Sequence, residues 1–157
     1  MTALVKVLSA VSLAALIATP VAAADVPFEK EIEARQAHMD VVKYNMGILG
    51  AMAKGKRDYD ANLAGAVAKN MLSAATMNNM SMWPQGSDNS VDALSELTKA
   101  KPGIWAEDSE VGDKHNAWVK ASETMAAEAG KDLASLRKAM GPLGKSCKGC
   151  HKAYKAK

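Results

Sequence analysis

The residue types and spacing best suited to chemistry lie near the carboxyl end of the chain, at Cys147-Lys148-Gly149-Cys150-His151. This segment fits the C-x-x-C-H pattern of c-type haem attachment. Two thiols three residues apart lie on one face of a helix, where each can form a thioether with a haem vinyl group. The histidine that follows can place its imidazole under the iron. We therefore predict one covalently bound haem c, with His151 as the proximal axial ligand.

Three other interpretations of the two cysteines are weaker. A disulfide between Cys147 and Cys150 would be strained inside a helix. A thioredoxin-type redox pair needs a βαβ setting, for which the sequence gives no sign. A zinc site would need a second pair of ligands, and the only other histidines are His38 and His115. Haem attachment therefore remains the favoured interpretation.

The elements that must position this motif are predicted to be helices. The chain is rich in Ala, Leu, Met, Lys and Glu, and no run alternates apolar and polar residues as a half-buried strand does. The predicted helices span 28–53, 61–79, about 104 or 108 to 129, and 132 to the end, with a long connection over 80–103. Gly141-Pro142 predicts a kink or a tight break in the fourth helix. This pattern favours an all-α, antiparallel four-helix bundle that forms a single domain.

Apolar residues of three helices recur at spacings of three and four, as expected for residues that pack against other helices. The predicted inward stripe of the first helix is Phe28, Ile32, Arg35, Met39, Val42, Met46, Leu49 and Ala53. The predicted inward face of the second is Leu63, Val67, Met71, Ala74 and Met77. The stripe of the fourth is Leu133, Leu136, Met140, Leu143, Cys147, Cys150 and Tyr154, so both cysteines are expected to face the interior.

Arg35 is the one charged residue on the stripe of the first helix. A buried guanidinium without an anionic partner is costly. A haem propionate would supply that partner, because arginine recognises carboxylates with two parallel hydrogen bonds. The alternative is that Arg35 extends to solvent at the end of the bundle. Gln36 is a weaker candidate for contact with a propionate or the haem.

The amino-terminal segment is predicted to be a signal peptide. Lys6 precedes an apolar run that is followed by Ala22-Ala23-Ala24, which matches a basic start, an apolar stretch and a small-residue cleavage site. We expect residues 1–24 to be removed and 25–157 to form the exported, periplasmic haem domain. No later stretch resembles a membrane span, and a formal charge of +3 gives little support for nucleic-acid binding.

The ten methionines raise the question of copper binding. Most of them fall at predicted core positions, and only Met77, Met80 and Met82 form a local cluster, so packing is the favoured interpretation. His38 is next to Met39 in the sequence but points about 100° away from it around the helix, so we expect His38 to be exposed. His115 is expected to be a packed or solvated residue, not an axial ligand.

The sequence resembles the class II c-type cytochromes, the cytochrome c-prime family, over the whole mature chain. The segments that carry the resemblance are Arg35-Gln36-Ala37-His38-Met39, Asn45-Met46-Gly47-Ile48-Leu49-Gly50, Ile104-Trp105, and Gly144-Lys145-Ser146 followed by the haem motif. The resemblance implies a four-helix bundle, often a homodimer, with a proximal histidine. It also implies that Met39 lies over the distal face of the haem and that Lys155 is a basic residue near the proximal histidine.

The resemblance implies one of two functions, which differ at Met39. In the low-spin branch, such as cytochrome c-556, the matching methionine binds the iron and the protein carries electrons between redox partner proteins. In cytochrome c-prime proper, the iron is five-coordinate and binds nitric oxide or carbon monoxide. We predict ligation by Met39 and a one-electron carrier, with gas binding as the alternative. An enzyme is not expected, because a peroxidase would need distal acid–base groups and Met39 is apolar.

Overall fold

The computed structural model describes residues 26–157 as four long helices and a connecting segment. The helices are α1 (Glu29–Ala53), α2 (Ala61–Thr76), α3 (Val111–Glu128) and α4 (Leu133–Tyr154). The segment between α2 and α3 contains three short 3₁₀ turns, at Met80–Met82, Asp92–Leu94 and Pro102–Trp105. Within 26–157, no helix is long and apolar enough to span a bilayer. The predicted signal peptide lies outside the described residues.

The helices form the predicted four-helix bundle. α1 packs against α2 and α4, and α3 packs against the same two helices. Since α3 and α1 each contact both other helices, the four elements enclose one apolar core. Its fully buried large side chains are Leu49, Met52, Met71, Met125, Leu136 and Leu143.

Local sequence signals explain where α2 and α4 begin. The Asp60 side chain accepts a hydrogen bond from the Leu63 amide at 3.0 Å, and the Asp132 side chain accepts one from the Ser135 amide at 2.7 Å. Each carboxylate satisfies an amide that has no partner within its helix. Both predicted helix starts are confirmed.

The end of α2 differs from the prediction. The helix stops at Thr76, because the backbone of Met77 turns to an extended conformation with ψ of 131°. Met77 therefore leaves the inward face and is 40% exposed. The expectation that Met77 packs in the core is wrong.

The helix α4 continues through Pro142 without the tight break that was one of two expectations. Proline removes one backbone donor and crowds the preceding turn. Pro142 lies on the exposed side of the helix, where solvent can satisfy a freed carbonyl. The cysteines therefore belong to the same helix as the core residues Leu136 and Leu143.

Close packing of glycines joins the start of α2 to the turn between α3 and α4. A Cβ atom added to Gly130 would lie 3.2 Å from the Ala61 carbonyl oxygen and 3.3 Å from Cα of Gly65. Because a side chain at 130 would push these neighbours away by a few tenths of an ångström, glycine permits the close approach of the two elements. This contact lies at the end of the bundle away from the cysteines, since α4 begins there.

Candidate functional site

The final turns of α4 carry the three residues of the haem motif. Cys147 and Cys150 are free and half-buried, and they continue the inward stripe, as predicted. Burial raises the pKa of both thiols, while the nearby ammonium of Lys114 on α3 opposes the rise at Cys150. Both cysteines are thus accessible thiols on the bundle side of the helix.

The imidazole of His151 lies on the exposed side of the same turn. Partial removal of the ring from water lowers the pKa of the imidazole, and the positive charge of Lys155 lowers it further. Both effects favour the neutral ring, which is the form that binds metals. Lys155 itself is exposed and follows the last turn of α4, where its amide donates to the His151 carbonyl oxygen at 3.1 Å.

The connecting segment fixes the end of α4. The Lys101 amide donates to the Tyr154 carbonyl oxygen at 3.0 Å, and the Ala156 amide donates to the Lys99 carbonyl oxygen at 2.8 Å. The Tyr154 hydroxyl accepts a hydrogen bond from the Glu110 amide at 2.8 Å. These bonds hold the turn with the haem motif against the start of α3.

The guanidinium of Arg35 is buried, with 3% of the residue exposed. It donates to the Ser87 hydroxyl at 2.6 Å, to the Ser87 carbonyl oxygen, and to the Thr98 hydroxyl at 2.8 Å. It also lies 4.6 Å from the centre of the Trp83 ring, a cation–π distance. Burial lowers the pKa of Arg35, and the carboxylate of Asp88 opposes that shift.

These protein groups compensate for the cost of burying the Arg35 guanidinium. The alternative, in which Arg35 extends to solvent, is wrong, because the side chain is buried and points into the connecting segment. The predicted propionate contact stays a prediction. Nothing in the local sequence around Ser87 or Thr98 marks them as partners of Arg35, because they lie 52 and 63 residues away along the chain.

One short stretch of the connecting segment joins the start of α1 to the end of α4. The exposed Gln36 donates to the Leu97 carbonyl oxygen at 2.6 Å, and Ala100 forms an isolated β-bridge with Lys155. Residues 97–100 can span only about 10 Å. Gln36 and Lys155 therefore lie at the same end of the bundle.

The register between α1 and α4 places Met39 relative to the haem motif. A Cβ atom on Gly50 would lie 3.7 Å from Cε of Met140, and one on Gly144 would lie 3.9 Å from Cε of Met46. Moving from Gly50 back to Met46 on α1 corresponds to moving from Met140 forward to Gly144 on α4. Each step is four residues, so the two helices run antiparallel. Seven further residues along each helix bring Met39 level with His151, since both advance 1.5 Å per residue.

Met39 is half-buried, whereas its neighbour His38 is buried, with 7% exposed. The expectation that His38 is exposed is wrong, because α2 covers that flank of α1. His38 Nε2 lies 3.0 Å from the Ala74 carbonyl oxygen on α2, and its ring lies 6.3 Å from that of Trp118 on α3. His38 therefore faces away from α4.

The donor set fits a covalent haem better than a metal ion held directly by side chains. In residues 26–157, no group of three or more His, Cys, Asp or Glu side chains could hold a metal ion. Two thiols on one helical face next to a neutral imidazole match thioether attachment and proximal ligation. A thioredoxin-type pair finds no βαβ unit among the described elements.

Comparisons with known proteins agree with this chemistry. The sequence profile described as Cytochrome C' matches residues 30–155. Cytochrome c-554 of Cereibacter sphaeroides is 36% identical over 143 residues, which cover 90% of this chain and 92% of the relative. A cytochrome c' of the same organism is 32% identical over 152 residues, covering 97% and 98%.

Solved structures give the same result. Cytochrome c' from Rhodobacter Spheriodes superimposes with a TM-score of 0.77 at 30% identity, covering 85% of this chain and 99% of that one. The nitric oxide complex of the L16A mutant of cytochrome c prime from Alcaligenes xylosoxidans has a TM-score of 0.71 at 26% identity, covering 83% and 96%. The chain belongs to the cytochrome c' family of covalent haem c proteins.

Proposed function

We propose that this protein is a periplasmic monohaem cytochrome that carries one electron at a time between redox partner proteins. Cys147 and Cys150 bind the haem covalently, His151 is the proximal ligand, and Met39 is the distal ligand. The haem supplies one-electron iron chemistry, and this chain supplies ligands, burial and charge. The observation that carries the proposal is the register that brings Met39 level with His151 on the facing helix.

Met39 has the position and the chemistry of a distal ligand. It is half-buried on the flank of α1 that faces α4, and its unbranched thioether has three rotatable bonds with which to reach a metal. Methionine opposite histidine is an axial pair that raises the potential of a haem. His38 cannot replace it, because its ring is held against α2.

The charges at this end of the bundle also suit an electron carrier. Lys155 lies close enough to His151 to lower the pKa of its imidazole. A cation felt by the proximal ligand also favours the ferrous iron, which carries less positive charge than the ferric iron. Arg35 adds a second positive charge one helical turn before Met39.

A gas-binding function is the second candidate, and the relative solved as a nitric oxide complex supports it. In that case Met39 covers the distal face without binding the iron. The absorption spectrum of the reduced protein, with and without carbon monoxide, separates the two functions. An electron carrier with Met39 bound is low-spin and takes up little carbon monoxide.

The decisive variant is Met39→Ala, with Met46→Ala as its control. Both methionines are half-buried on the same flank of α1, seven residues apart. We expect Met39→Ala to convert a low-spin spectrum to a high-spin one and to create carbon monoxide binding, whereas Met46→Ala leaves the spectrum unchanged. A wild-type protein that is high-spin and binds carbon monoxide readily would disprove ligation and establish gas binding instead.

A further inference from the structure

Three methionines beside the end of α2 lie outside the apolar core. Met80 is 80% exposed and Met77 is 40% exposed, and Met82 is half-buried. An apolar side chain that is 80% exposed gains little from packing, so packing does not account for Met80. These three residues, which we call the methionine turn, fall within a stretch of six positions.

The backbone of the methionine turn is ordered by hydrogen bonds. The Met82 amide donates to the Asn79 carbonyl oxygen at 2.9 Å, and the Trp83 amide donates to the Met80 carbonyl oxygen at 3.1 Å. The Asn78 side chain accepts a bond from the Met80 amide at 3.3 Å. Successive residues of a 3₁₀ turn are 120° apart, so Met80 and Met82 are separated by 120° around its axis. Binding of one ion by both residues therefore requires their side chains to turn toward each other, which the three rotatable bonds of methionine allow.

The donor chemistry is specific. Thioether sulfur is a soft, neutral donor that selects Cu(I) over zinc, magnesium or calcium, which prefer imidazole, thiolate or oxygen ligands. The six positions of the turn contain no His, Cys, Asp or Glu that would favour a harder ion.

The charge of the neighbouring sequence also suits a cation. No Lys, Arg or His occurs between Lys69 and Lys99, whereas three acidic residues do, at Asp88, Asp92 and Glu96. One positive charge contacts the turn: Arg35 donates to the Met82 carbonyl oxygen at 3.4 Å. Its guanidinium is turned toward Ser87 and Thr98.

We propose that Met77, Met80 and Met82 form a surface site for one cuprous ion, bound by thioether sulfurs. The site is distinct from the haem motif, because it uses none of the predicted haem ligands, although the end of α2 and the haem motif lie at the same end of the bundle. It requires no change in the oxidation state of copper, and it holds whether Met39 binds the iron or not.

The test is equilibrium dialysis of the haem-loaded protein against Cu(I) buffered with bicinchoninate, under nitrogen with ascorbate, followed by measurement of copper per haem iron. Haem-loaded protein is needed because free cysteines would also bind Cu(I). We expect one copper per haem, a loss of affinity of at least tenfold in Met80→Leu, and no binding in the triple Met→Leu variant. These exchanges keep side-chain volume and cost little stability.

The matched control is Met140→Leu, which removes a half-buried thioether of α4 and should bind copper as the wild type does. The proposal is overturned if the wild type takes no copper from the buffer. It is equally overturned if the triple variant binds as much copper as the wild type, or if Met140→Leu loses binding to the same degree as Met80→Leu.

Discussion

Replacing Arg35 with leucine should destabilise the protein through the connecting segment. The change removes the bonds to the Ser87 carbonyl and hydroxyl oxygens and to the Thr98 hydroxyl. It also removes the cation–π contact with Trp83 and leaves the buried Asp88 carboxylate without its neighbouring cation. The size of the effect depends on which of these groups find another partner.

Two of the groups keep a partner. The Ser87 hydroxyl still donates to the Pro84 carbonyl oxygen at 2.7 Å, and the Thr98 hydroxyl still accepts from the Ala100 amide at 3.1 Å. The Ser87 carbonyl oxygen loses its guanidinium partner, which costs about 1–3 kcal/mol, and the cation–π contact adds about 1–2 kcal/mol. The variant no longer buries a charged guanidinium, and the desolvation cost that this removes offsets part of the loss. We expect the free energy of unfolding to fall by about 2–4 kcal/mol.

The assay is urea unfolding of the haem-loaded protein, followed by far-ultraviolet circular dichroism. Gln36→Ala is the control, since it removes one exposed bond to the Leu97 carbonyl oxygen and should cost no more than about 1 kcal/mol. If Arg35→Leu is no less stable than Gln36→Ala, the guanidinium does not anchor the connecting segment and the reasoning fails.

The reduction potential of Arg35→Leu tests the propionate separately. If a propionate lies beside Arg35 in the haem-loaded protein, loss of the cation should lower the potential, because the ferric state carries more positive charge than the ferrous state. An unchanged potential at low ionic strength would mean that Arg35 serves the connecting segment alone.

Two further predictions concern the two ends of the bundle. The double variant Cys147→Ala/Cys150→Ala should hold no covalent haem on a denaturing gel stained for haem, and undiminished staining would refute the attachment site. Gly130→Ala should lower the free energy of unfolding by about 1–3 kcal/mol, because its Cβ would lie 3.2 Å from the Ala61 carbonyl oxygen. Gly47→Ala should raise it by about 0.5–1 kcal/mol, because nothing lies within 4 Å of its Cβ; equal effects in urea unfolding would disprove this packing argument.

Most of the architecture follows from local patterns. Asp60 and Asp132 mark the starts of two helices because a carboxylate at that position satisfies a free amide. The spacing of Leu136, Leu143 and Cys147 places them on one inward face, because α4 packs with a single stripe toward the core. The end of α2 has no such marker: neither glycine nor proline follows Thr76, and the helix stops where the connecting segment turns away.

The buried face of α1 shows why local patterns are insufficient. The apolar stripe predicts Met39 and Met46 as inward residues, but His38 and Asn45 are more deeply buried. These polar residues are tolerated because each finds a partner, the Ala74 carbonyl for His38 and the Val41 carbonyl for Asn45. The flank that α2 covers depends on tertiary packing, which hydrophobic periodicity does not record.

The deeper burial of His38 than of Met39 explains how α1 can contribute to both the core and a haem site. His38 fills the flank against α2, and Met39 on the adjacent flank is only half-buried; it lies seven residues before Met46, whose Cε lies near Gly144 of α4. A fully packed Met39 would have to leave the core before it could bind iron, whereas a half-buried one keeps the freedom of its side chain. In the proposed arrangement, with His151 level with Met39 on α4, the choice between a filled and an open distal position would depend on the side-chain torsions of Met39. The electron-carrying and gas-binding functions therefore require the same bundle and the same haem motif, and differ in whether Met39 binds the iron.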